Sequence, residues 1–79
     1  MTLAGHDGEV NKLVFHSNGK YLFSGSDDKS VRVWDLSNNG VCVKKMMNLH
    51  EMFVTSLAVS RKFLASGDTK SVIKVWALR

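Results

Sequence analysis

The chain has 79 residues, fewer than the about 100 to 200 of an ordinary domain, so it can hold at most one small core. A hydrophobic content of 44% argues against disorder, and the net charge of +4, from 11 basic and 7 acidic residues, is compatible with nucleic acid or acidic partners without defining one. One cysteine excludes an intramolecular disulfide and a cysteine-based zinc framework, and no apolar run approaches the ~18 residues of a membrane span.

Gly5 permits a tight turn ahead of His6 and the polar Asp7-Gly8-Glu9. Val10 to Phe15 then reads as a strand, with β-branched and aromatic residues between turn signals. Asn18-Gly19 supplies the positive φ of a hairpin turn, and Tyr21 to Ser26 is the second strand, with Gly25 where neighbours must approach closely. Asp27-Asp28-Lys29 turns the chain into Ser30 to Leu36. Ser37-Asn38-Asn39-Gly40 turns it again into Val41 to Met47. Phe53 to Val59, Phe63 to Gly67 and Val72 to Leu78 complete seven expected strands, none interrupted by proline.

The order repeats. His6 and His50 are 44 positions apart, and Trp34 and Trp76 are 42 apart. Gly5-His6, Ser24-Gly25-Ser26-Asp27-Asp28 and Trp34-Asp35 are followed by Leu49-His50, Ser66-Gly67-Asp68 and Trp76-Ala77. A period of this length, opening on Gly-His and closing on Trp-Asp, resembles the WD40 repeat family. The resemblance covers nearly the whole chain. It implies an all-β fold of antiparallel propeller blades, one of four strands and one of three, not closed by itself because a propeller needs about four to eight blades. Residues 1–48 are expected to hold the end of a preceding outer strand and the first blade, and residues 49–79 a second, partial blade. Such a chain leaves sheet faces and edges uncovered, so the remaining blades of a longer parent or self-association are expected to cover them.

The resemblance also assigns residues. In the family a third-strand Trp, a second-strand Ser, the His after Gly and a turn Asp form a buried hydrogen-bonded tetrad, here Trp34, Ser24, His6 and Asp28. The chemistry is sound: an indole N–H needs an acceptor, a hydroxyl accepts it and donates onward, and an imidazole links hydroxyl to carboxylate. Ser26 is an alternative to Ser24, since both lie on one face of the strand. In the second copy His50, Ser66 and Trp76 match, while Leu49, Lys70 and Ala77 replace the Gly, the turn Asp and the Asp of Trp-Asp. That tetrad is expected to be incomplete, and its blade the weaker, unless a shifted turn lets Asp68 substitute. Ser, His and Asp also compose hydrolase triads, but no Gly-x-Ser-x-Gly elbow is present and the spacing follows the structural signature.

Of the remaining candidates, Cys42 reads as a small buried hydrophobe and His16 as a surface turn residue. Met46, Met47 and Met52 read as core packing rather than an adaptable binding face. Lys44-Lys45 and Arg61-Lys62 are only doublets, which disfavours a nucleic-acid patch. The family's usual contact surface is its top loops, which correspond to Glu9, Asn11, Asp27, Thr55 and Thr69, a set whose carboxylates and amide suit a basic peptide. A non-catalytic protein–protein interaction module of a larger scaffold or adaptor is therefore the leading expectation, with no cofactor, no metal and no membrane insertion. Binding of RNA or phosphorylated lipid by the basic surface is one alternative, and a substrate-selecting segment of a multidomain enzyme is another. The single thiol and the absence of an N-terminal basic-then-apolar leader point to an intracellular, cytoplasmic or nuclear, protein.

Overall fold

Runs of β-branched and aromatic residues, broken by Asn, Asp and Gly at the turns, become seven antiparallel strands in a computed structural model that describes residues 1–47 and 50–78. Strands β1 (Val10–Phe15), β2 (Tyr21–Ser26), β3 (Val31–Asp35) and β4 (Val41–Met46) form one sheet in that order. Strands β5 (Val54–Val59), β6 (Phe63–Asp68) and β7 (Ile73–Ala77) form a second. The all-β class and the four-plus-three arrangement expected from the sequence are the ones observed. Leu49 and the boundary after residue 48 lie outside the described residues.

The turns follow from their residues. Gly19 takes φ +72° while Asn18 Oδ1 accepts the Lys20 N–H at 2.8 Å. Between β3 and β4 a 3-10 turn, Leu36–Asn38, is capped by Asp35, whose Oδ1 accepts the Ser37 N–H at 3.0 Å and the Ser37 hydroxyl at 2.6 Å. The β2–β3 and β6–β7 turns share one geometry. Lys29 N donates to Ser26 O at 3.1 Å and Ser71 N to Asp68 O at 3.2 Å, and Lys29 and Ser71 both adopt the left-handed region, at φ 70° and 66°.

The sheets are built alike and stacked in sequence. Each inner strand carries an irregularity near its start, between Val10 and Lys12 in β1 and between Val54 and Ser56 in β5. The core lies between the sheets: Phe23 and Val31 of the first pack with Val54, Leu57 and Leu64 of the second. Gly25 is required at this seam, because a Cβ there would stand 2.6 Å from Val54 Cγ1. Half-buried Met46 packs against this core and Met47 is exposed. Cys42, on the edge strand β4, is half-buried rather than buried, and its thiol approaches Lys44 O at 3.5 Å.

Candidate functional site

The first sheet and the segment that enters it converge on His6. Residues Gly5 to Gly8 run beside β2 and β3, where Gly5 leaves room for the guanidinium of Arg32, whose Nη1 would lie 2.7 Å from a Cβ at that position. Arg32 is buried, and its Nε has no hydrogen-bond partner among the described residues. His6 donates from Nδ1 to Asp28 Oδ2 at 2.9 Å, which leaves Nε2 as the acceptor of the Ser24 hydroxyl at 2.6 Å. Ser24 Oγ in turn accepts the Trp34 indole N–H at 2.8 Å. Indole, hydroxyl, imidazole and carboxylate thus form one directed chain with every member satisfied.

Asp28 is the charged end of that chain. Burial pushes its carboxyl up, but hydrogen bonds from Ser30 and His6 and from the backbone N–H groups of Asp7 and Ser30 outweigh it and hold the group well below the usual carboxylate range. Ser26 does not replace Ser24. Its hydroxyl accepts the Asp28 N–H at 3.1 Å and so braces the turn that presents the carboxylate.

In the second sheet His50 donates to Asp68 Oδ2 at 2.8 Å and accepts the Ser66 hydroxyl at 2.6 Å. The carboxylate comes from Asp68, and no shifted turn is needed: Asp68 is the last residue of β6 and lies two residues beyond Ser66 on the same strand face. Its Oδ1 also accepts the backbone N–H groups of Lys70, at 2.8 Å, and Val72, at 3.2 Å. Burial raises the Asp68 carboxyl, while the hydrogen bonds from His50, Val72 and Lys70 lower it further, so the net displacement is downward. The link missing from this chain is a different one. Among the described residues, the half-buried Trp76 indole makes no hydrogen bond to Ser66.

Chemically, both arrangements place Ser, His and Asp in the order of a proton relay. Ser24 is 2% exposed and its oxygen is engaged by the indole, so no substrate carbonyl can approach it, and Ser66 is equally enclosed. Among the described residues, no group of three or more His, Cys, Asp or Glu side chains could hold a metal. No helix among them is long and apolar enough to cross a membrane.

The loop residues gather at one end of the strands. Asp27 N donates to Glu9 O at 2.9 Å, and the Asn11 amide donates to Asp27 Oδ1 at 2.6 Å and to Val54 O at 3.0 Å. Asn11 is therefore a tie between the sheets as well as a surface residue, a role its sequence position did not announce. Glu9 is exposed and Asp27 half-buried; Thr55 and Thr69, at the equivalent positions of the second sheet, are exposed. At the other end, His16 is half-buried rather than on the surface, because its ring packs on Phe23 and edge-on to Tyr21, 6.3 and 6.5 Å between centroids. It lines an open cleft of about 780 Å³ with Phe23, Val33, Val43, Lys44, Arg61 and Trp76.

A family model for the WD domain, G-beta repeat, matches residues 1–35. The nuclear distribution protein nudF 1 of Talaromyces marneffei is 60% identical over 57 residues, covering 72% of this chain and 12% of that protein. The nuclear distribution protein PAC1 of Arthroderma benhamiae is 56% identical over 57 residues, with the same coverage. PAC1 of Gibberella zeae is 59% identical over 56 residues, 71% of this chain and 12% of that one. The chain thus spans about an eighth of the length of the curated relatives it matches. With paired antiparallel sheets built on one repeated plan and these matches beside them, the chain belongs to the WD40 repeat family.

Proposed function

We propose that the chain is a non-catalytic protein–protein interaction segment of a WD40 scaffold or adaptor, and that it meets its partner through the loops bearing Glu9, Asn11, Asp27, Thr55 and Thr69. The observation that carries this reading is the Glu9–Asp27–Asn11 cluster, in which the exposed Glu9 and the half-buried Asp27 stand side by side on a framework fixed by main-chain and side-chain hydrogen bonds. Two carboxylates beside two exposed threonines suit a peptide carrying Lys or Arg. The buried relays serve the framework and do no chemistry of their own. By likeness to relatives named nuclear distribution proteins, the process served is nuclear distribution.

The test is titration of the chain with an Arg- and Lys-containing peptide, an acidic peptide and a single-stranded RNA. Glu9→Gln together with Asp27→Asn removes both charges and keeps an acceptor for Asn11. Loss of basic-peptide binding in this double variant supports the reading. RNA binding that falls steeply with salt would put the basic surface in its place.

A further inference from the structure

The charges of the chain are sorted by end. Every acidic residue but Asp35 stands where β1 and β5 begin: Asp7, Glu9 and Glu51 precede those strands, and Asp27, Asp28 and Asp68 lie at or just past the ends of β2 and β6. The opposite end carries His16 and Lys20 at the β1–β2 turn and Arg61 and Lys62 at the β5–β6 turn. There Asp35 is committed to the cap of the 3-10 turn, and Lys20 Nζ lies 5.3 Å from the centroid of the Tyr21 ring.

The cleft that His16 lines opens at this basic end, and Asn18 and Tyr21 line it as well. It runs within the seam between the sheets and not over an outer face: Phe23 and Val33 of the first sheet form one wall, and Trp76 of the second the other. The exposed Lys44 and Arg61 flank it from the two sheets, and no Asp or Glu among the described residues lines it. A bulge supplies part of this lining. Val33 pairs with Lys44 and Trp34 with Cys42, so Val43 is an extra residue in β4. Adjacent residues of a regular strand point to opposite faces, yet Val43 and Lys44 both line the cleft.

From this we infer that the cleft docks an extended acidic segment of a partner protein, an aromatic side chain entering between Phe23 and Trp76 while flanking carboxylates meet Lys44 and Arg61. Aromatic walls favour an apolar anchor, and cations without a counter-charge favour carboxylates. The loops of Glu9 and Asp27 suit a peptide of the opposite charge, so the chain holds a different partner at each end.

The experiment titrates the 79-residue chain, and the natural protein where that is longer, with the end-capped peptide Glu-Asp-Phe-Asp-Glu, following tryptophan emission. Saturable binding is expected, with an emission change that Trp76→Phe abolishes. Lys44→Glu and Arg61→Glu should each weaken binding about fivefold, since reversal removes one attraction and adds one repulsion. Lys70→Glu makes the same change of net charge at the other end and should leave the affinity unchanged. Replacing the peptide's Phe by Ala should also weaken binding. Far-UV circular dichroism checks that each variant keeps its sheets, and Lys44→Gln and Arg61→Gln repeat the test with a milder change. Absence of saturation, or equal weakening by Lys70→Glu, overturns the inference. So does binding to the 79-residue chain that a longer natural protein lacks, because another segment of that protein then fills the cleft. Displacement of the peptide by a single-stranded RNA whose affinity falls steeply with salt overturns it in favour of nucleic acid. Basic-peptide binding through Glu9 and Asp27 is read separately and does not depend on the outcome.

Discussion

Ser26 and Asp68 stand at the same position of the two sheets, opposite Val10 and Val54 respectively, yet only Asp68 supplies the carboxylate that its histidine needs. In the first sheet Ser26 braces the turn and Asp28, two residues on, meets His6. In the second, one side chain does both tasks, accepting His50 on one oxygen and the turn's N–H groups on the other. Lys70, at the position of Asp28, is thereby freed to be exposed.

This exchange gives the first prediction. Asp68→Ser should clearly lower the melting temperature, and Lys70→Ala should leave it nearly unchanged. The double change Asp68→Ser with Lys70→Asp recreates the first sheet's arrangement and should recover much of the loss. Thermal melts followed by circular dichroism decide it, and no recovery in the double variant would show that the two arrangements are not equivalent.

The two tryptophans should differ. Trp34→Phe removes the donor to Ser24 and trims a buried ring, so a loss of about 1 to 2 kcal/mol is expected. Trp76→Phe breaks no such bond and should cost less. Urea denaturation with a common slope measures both.

The seam between the sheets can be loosened from either side. Asn11→Ala forfeits the bonds to Asp27 and Val54 and should cost about 1 kcal/mol. Gly25→Ala drives a methyl into Val54, with a penalty of about 1 to 3 kcal/mol from overpacking. Adding Val54→Ala should relieve part of the Gly25→Ala penalty, a coupling that a double-mutant cycle reads directly.

Acid should weaken both relays. The Asp28 and Asp68 carboxyls are depressed in the fold, so the stability they contribute is complete above the unfolded carboxylate value of about 4. It is lost as pH falls from there through the lower folded values. Melting temperature should therefore decline below about pH 4, and the decline should be shallower in Asp28→Asn with Asp68→Asn.

Strand positions were legible because each run of β-branched residues ends on a turn signal whose geometry admits few alternatives, as at Asn18-Gly19 and Asp28-Lys29. What escaped the sequence was lateral. That Asp68 reaches His50 from the strand depends on the face it shares with Ser66, and linear alignment of Lys70 with Asp28 hides this. The contact of Asn11 with Val54 joins residues 43 apart, and no local pattern encodes it. In the sequence His16 reads as a surface residue, because the turn that carries it gives no sign of the Phe23 ring beneath.

Among the described residues, each strand is hydrogen-bonded only to its immediate neighbours in sequence, in the orders β1-β2-β3-β4 and β5-β6-β7. For an all-β chain this keeps the loops that must close short, which favours speed in folding. It also sets an order during synthesis. All four strands of the first sheet are available once Met46 has left the ribosome, so the surface that receives Val54 and Leu57 can be built before most of the second sheet has been made.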